Sequence, residues 1–242
     1  MSLSSIAKKY QGLDRLVPIG MRLPLRYRLQ SILGALEPEV ALLPELLRGA
    51  VGRTALDVGA NLGIYTLALS RLGMKVHAFE PQPACCEVLS AWARGNPQVV
   101  VHNVGVGAAA GELVLHVPIV DGHPVPTRAS FQPFGHEQLE LRVPVLDLDS
   151  VDAGDIAFVK IDVEGFELPV LNGAMGILST MKPVLLIEID RQRHDRQSFD
   201  QVIGLLSGLG YKSHIYVDGR LTSCGTDAWS VPKSHYNFIF IA

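Results

Sequence analysis

Residues 55–66 read ALDVGANLGIYT, and this stretch decides the fold. A short β-prone run ends in an acid, Asp57. Gly59, Asn61 and Gly63 then form a turn that opens a helix. Glycines at 59 and 63 are expected to let the backbone pass close to a ligand where any β-carbon would collide. A dinucleotide site would read GxGxxG, because a pyrophosphate must sit on the helix N-terminus. Here the spacing is GxxxG, and a carboxylate stands at the mouth of the turn. Taken alone, such a turn is also an ordinary strand-to-helix connection of an α/β domain.

Asp57 repels phosphate but suits an ammonium or a sulfonium-bearing amino acid. That electrostatic preference points to S-adenosylmethionine rather than NAD. Downstream, AFEP puts Glu80 at the end of a second strand, where a carboxylate accepts the ribose hydroxyl hydrogens. Asn103, ending a third strand, falls near the adenine by the same topology, or is a strand-end turn residue. The candidate cofactor residues are thus Asp57, Gly59, Asn61, Gly63, Glu80 and Asn103.

The alternation of short β-branched runs with helical patterns continues from about Arg53, as in a parallel sheet covered by helices on both faces. The helix after Gly63 should pack through Leu67, Leu69 and Leu72. Pro83 suits the first turn of the next helix, and QVVVHNV reads as the third strand. IAFVKID and PVLLIEI are near-continuous apolar runs, as expected of neighbouring central strands, with one helix from about Phe166 to Leu178 between them. SFDQVIGLLSGLG begins with a Ser cap and ends in glycine. YKSHIYV and YNFIFIA then close the sheet as an antiparallel hairpin. The expected architecture is α/β and Rossmann-like, with seven mostly parallel strands.

Two segments lie outside the alternation. Residues 107–153 hold two extended pieces, ELVLHVP and LRVPVLDL, around a proline-bearing loop. This β-insertion before the fourth strand is either a functional loop or a cover for a sheet edge. Residues 1–52 read as an N-terminal helical extension packing on the core, with residues 53–242 as the catalytic domain. Lys8, Lys9, Arg15, Arg22, Arg26 and Arg28 face a single acid, Asp14, in the first 30 positions. Val40, Leu42, Leu43, Leu46 and Leu47 suit a helix that caps the sheet.

A net charge of -3 argues against binding nucleic acid mainly through phosphate contacts. Cys85, Cys86 and Cys224 show no metal-ligand spacing, and reduced thiols are the simple reading. Without a signal-like apolar core or a membrane-length apolar run, a cytoplasmic protein with no transmembrane segment is expected.

The motifs DVGANLGIYT, AFEP, HNVGVG, the ASF triplet at 129–131 and especially VKIDVEGFELPVLNG resemble the FkbM family of methyltransferases. The resemblance implies a class I methyltransferase fold that transfers a methyl group from S-adenosylmethionine, usually to a hydroxyl on a sugar, lipid or secondary-metabolite acceptor. It also implies cofactor roles for Asp57, Gly59, Asn61, Gly63 and Glu80, and an acidic cluster at Asp162, Glu164 and Glu167. It leaves the first 50 residues unassigned.

Open parallel sheets bind ligands beyond the carboxyl ends of their strands, which gathers Asp57, Asp162 and Glu188 at one rim. Glu164 or Glu167 is free to cap the following helix. Methyl transfer to oxygen needs a proton acceptor. Asp162 and His194 are the candidates, and His194 in DRQRHDRQ also reads as a solvated loop residue. Asp162 and Glu188 would suit Mg²⁺, although no ligand set is fixed and metal independence is the default. Rival readings are a nucleic-acid methyltransferase, for which no basic stripe or NPPY-like tetrapeptide is present, and a non-catalytic cofactor-binding protein.

Overall fold

The computed structural model describes residues 16–50, 52–191, 193–225 and 227–242. Lys8, Lys9 and Arg15 of the basic stretch lie outside the described residues. Among the described residues, twelve strands follow in chain order. They are β1 (Thr54–Val58), β2 (Lys75–Phe79), β3 (Val99–His102), β4 (Gly105–Val106), β5 (Gly111–Val120), β6 (His123–Pro124), β7 (Gln138–Leu146), β8 (Ile156–Ile161), β9 (Val184–Glu188), β10 (Lys212–Val217), β11 (Arg220–Ser223) and β12 (Asn237–Ile241). The helices are α1 (Ile19–Ile32), α2 (Pro38–Leu46), α3 (Ile64–Arg71), α4 (Pro83–Ala93), α5 (Glu167–Asn172), α6 (Met175–Thr180) and α7 (Arg196–Gly208).

β1 and β8 are buried along their whole length, as central strands covered on both faces must be. The main sheet runs in the order β11-β10-β12-β9-β8-β1-β2-β3. β3, β2, β1, β8 and β9 are mutually parallel, while β12 and β10 close the sheet antiparallel. Chain order reverses between β1 and β8, which makes that junction the switch point of the sheet.

The main sheet therefore has eight strands, not the expected seven. The additional strand, β11, folds back on β10 through Asp218 and Gly219, both at positive φ. That Asp-Gly pair is the signal of a two-residue hairpin turn. The insertion forms a separate sheet, β4-β7-β5-β6.

One face of the main sheet packs Leu56, Val58, Val159 and Ile161 against Val170, Ile177, Phe199 and Val202 of α5, α6 and α7. The other buries Ala55 and Phe158 against Val40, Leu43, Tyr65 and Leu69 of α2 and α3. The side chains of α2 thus cover the sheet as their spacing suggested, while Leu23 of α1 is buried with Leu67 and Leu89.

Three local expectations change. Leu72 lies past the end of α3 and is 42% exposed. The single helix expected after β8 is broken into α5 and α6 around Gly173, where a β-carbon would fall 2.0 Å from the Gly107 carbonyl oxygen of the insertion. Helix α7 is capped by Asp195, whose carboxylate accepts the Ser198 amide, rather than by Ser198.

The most constrained backbone lies at the switch point. Gly59 has φ +76°, and a β-carbon there would sit 1.8 Å from the Asp162 carbonyl oxygen. Its lack of a side chain lets the β1 and β8 exits approach each other. Gly63, at φ +91°, would drive a β-carbon into Leu89 and Leu23, so it too serves packing. Gly59→Ala should therefore lose about 2–4 kcal/mol of stability in chemical denaturation. Gly154→Ala, also at positive φ but with open space around it, should lose only about 1 kcal/mol.

Candidate functional site

Four adjacent parallel strands set a row of carboxylates along one rim. Glu188 ends β9, Asp162 follows β8, Asp57 is the penultimate residue of β1, and Glu80 follows β2. The rim opens into two contiguous cavities. The first, open to solvent, spans about 780 Å³ and is lined by Glu80, Phe131, Asp162, Glu164 and Glu188 among others. The second, also open to solvent, spans about 700 Å³ between the β1 turn, α1 and α3, and includes Arg26, Glu37, Asp57, Tyr65 and Lys160. Gly59, Asn61, Thr127 and Asp162 line both.

Glu80 is buried beneath the glycine turn. One of its oxygens accepts the Asn61 amide at 2.6 Å and the other the Gln82 amide at 2.8 Å. Burial raises its carboxyl to about 7, against these two amides. Each oxygen keeps a lone pair for another donor. Asp57 is also buried, accepts the Thr66 hydroxyl at 2.5 Å, and is raised to about 6 by burial. Asn61, at φ 53°, donates its side-chain amide to the Thr127 carbonyl at 3.0 Å.

Lys160 was not singled out in the sequence. It pairs in register with Asp57 and is buried in the middle of the sheet. Its ammonium lies 3.8 Å from Asp162 Oδ2 and 5.1 Å from the centre of the Tyr65 ring. Burial opposes its charge, but Asp162, Glu37, Glu188 and Asp57 outweigh burial and keep it protonated. The hint in the sequence was a lone cation within an apolar strand, which requires buried anions nearby. Glu37, another residue the sequence reading missed, accepts the Tyr65 hydroxyl at 2.7 Å.

The carboxylates at the β8 and β9 exits are unusually proton-loving. Burial raises Asp162, and Lys160 opposes that rise. Burial followed by the Asp162 charge raises Glu188 to about 8. Glu164 stands at φ 52° and its carboxylate pairs with Arg193 Nε at 2.7 Å.

The insertion roofs this cleft. Besides the Thr127 contact to Asn61, Ser130 Oγ donates to the Glu164 carbonyl at 2.9 Å and Gln132 Nε2 to the Gly165 carbonyl at 2.7 Å. One loop thus ties the glycine turn to the loop after β8, which favours the functional reading of the insertion over a plain edge cover.

Two predicted site residues lie elsewhere. His194 is buried with its Nε2 2.6 Å from Glu167 Oε2, and it lines neither cavity. It is not a solvated loop residue, because Glu167 at the head of α5 draws it into the interior. The other Glu167 oxygen accepts the Gly165 amide. Asn103 also lines neither cavity; its side-chain amide donates to the Glu80 and Pro81 carbonyls, which makes it a brace for the loop that carries Glu80. Among the described residues, no group of three His, Cys, Asp or Glu side chains is arranged to hold a metal.

A family profile described as the methyltransferase FkbM domain matches residues 57–213. No curated protein matches the chain. The structure of methyltransferase FkbM from Methylobacillus flagellatus KT is similar at 18% identity and a TM-score of 0.52, over 80% of this chain and 45% of that one. The chain thus spans less than half the length of that relative, and the likeness is one of fold. A TehB-like SAM-dependent methyltransferase from Corynebacterium glutamicum is similar at 12% identity and a TM-score of 0.47, covering 92% of this chain and 97% of that one. SMU.1697c of Streptococcus mutans, solved in complex with SAH, gives 11% and 0.47, over 85% and 98%.

The raised Glu188 carboxyl carries a sign that can be tested. A carboxyl whose folded value lies above its unfolded one binds protons preferentially in the native state, so stability falls as pH rises toward the folded value. Glu188→Gln removes that dependence. Its melting temperature relative to the unsubstituted protein should climb between about pH 5 and pH 8 and level off above, as read by thermal melts across pH.

Proposed function

Because the chain belongs to the FkbM methyltransferase family, we propose that it transfers a methyl group from S-adenosylmethionine to a hydroxyl oxygen of a sugar, lipid or secondary-metabolite acceptor. The observation that carries this reading is the position of Asp162 on both cavities, with Glu80 in one and Asp57 in the other. The donor set fits the cofactor. Glu80 offers buried carboxylate lone pairs to a ribose diol, and the second cavity presents Asp57 and Glu37 toward an ammonium and Arg26 toward a carboxylate. S-adenosylmethionine supplies the electrophilic methyl.

The chain's own residues then manage the acceptor proton. Asp162 takes it, with its basicity raised by burial and its negative charge steadied by Lys160. Glu188, protonated at neutral pH, donates a hydrogen bond to the acceptor. Arg193 neutralises Glu164, and the roof loop limits water at the cleft. A net charge of -3 weighs against a polynucleotide acceptor held through its phosphates.

Calorimetry with adenosylhomocysteine tests the cofactor assignment. Glu80→Ala should weaken binding roughly 10- to 100-fold, the loss of a charge-assisted acceptor. Affinity should also fall as pH drops below about 7, where Glu80 takes up a proton. Tighter binding of NAD would overturn the reading. For the chemistry, acceptor libraries are screened by mass for one added methyl group. Asp162→Asn should cut the rate on the order of 10²–10⁴-fold with little change in cofactor affinity. An equal loss in both would remove Asp162 from the proton-transfer role.

A further inference from the structure

Helix α1 presents an apolar stripe to solvent while its other side is already packed. Leu23 is buried against Leu67 and Leu89, and Gly20 meets the backbone of Ala91 on α4. The opposite side carries Met21, 61% exposed, with Leu25 and Ile32, the latter 70% exposed. These three fall on one helical stripe with Arg28 between the last two. Leu16, 83% exposed, precedes the helix and Leu33 follows it, so that five exposed large apolar side chains lie between residues 16 and 33. Scattered surface leucines need no explanation, but a contiguous apolar surface marks an interaction site.

The charge of the segment selects the partner. From Leu16 to Leu36 there are three arginines, Arg22, Arg26 and Arg28, and no acid, in a chain whose net charge is -3. The sequence before it adds Lys8, Lys9 and Arg15 against Asp14. An apolar stripe bordered by cations and free of acids matches the boundary between acyl chains and anionic headgroups. A second copy of this chain would instead bring Arg28 face to face with its own.

We propose that the outer face of α1 docks on an anionic membrane surface. The same helix walls the second cavity through Arg26 and Gln30. Docking therefore holds the cleft about one helix diameter, roughly 10 Å, from the headgroups, within reach of an amphiphilic acceptor. The contact itself does not depend on which cofactor the cleft takes.

Flotation of the full chain with vesicles decides the proposal. Phosphatidylcholine vesicles containing about 30% phosphatidylglycerol should bind the protein at least roughly tenfold more tightly than pure phosphatidylcholine. Met21→Ser/Leu25→Ser/Ile32→Ser should lose roughly tenfold or more on the anionic vesicles. Arg28→Gln should lose about fivefold. If the triple variant melts early, Ile32→Glu alone, at a solvent-facing position, serves in its place. No binding by the unsubstituted protein would overturn the proposal. So would binding that the apolar substitutions leave unchanged, which would assign the attraction to charge alone. Sedimentation showing a dimer that the triple variant converts to monomer would likewise overturn it and assign the face to a second copy.

Discussion

The approach of Gly59 to the Asp162 carbonyl is the constraint on which the rest of the cleft depends. β1 and β8 lie side by side although nearly the whole first half of the domain separates them in the chain. Their exits must diverge around a common opening, and a β-carbon at residue 59 would occupy the place of the Asp162 oxygen. With that contact made, the β1 turn swings toward Glu80 and donates the Asn61 amide to it. The loop after β8 swings the other way and brings Asp162 to the junction of the two cavities. Steric exclusion here performs a positioning task that hydrogen bonds alone would leave loose.

Such an opening concentrates charge where the sheet is driest. Asp57, Glu80, Asp162 and Glu188 all have their protons held by burial. Lys160 is the counter-ion that keeps the group from being purely repulsive, and it remains charged because four acids surround it. Leaving such an ammonium without anions would cost several kcal/mol, so the lysine and the carboxylates are mutually required. A site of this kind has proton affinities spread across the neutral range, as general acid–base work needs.

The insertion completes the enclosure from above. Its own sheet is anchored by the long β5–β7 pairing, which leaves the loop at residues 126–132 rigid enough to make three polar contacts to two separate parts of the rim. Phe131 packs at a tilt against Phe166 with ring centres 5.0 Å apart, closing the side beside α5. The roof and the floor are therefore coupled, and Glu164, held at positive φ by the loop above and Arg193 beside it, sits between them.

The α/β alternation, the neighbouring of the two apolar central strands and the strand-end acids Asp57, Glu80, Asp162 and Glu188 were legible in the sequence. Each rests on local patterning, where apolar runs mark central strands and an acid at a run's end must fall on the carboxyl rim. Even the hairpin that added β11 was written in Asp218–Gly219. Other features followed only from tertiary contacts. Gly59 proved to yield space to a backbone 103 positions away, His194 went inward to Glu167, Asn103 turned to brace a loop, and the insertion became a roof. Lys160 acquired meaning only beside anions contributed by β1, β9 and the segment before α2. In each case the deciding energy is a contact or a charge pairing between residues distant along the chain, and no local pattern records which residue will be the partner.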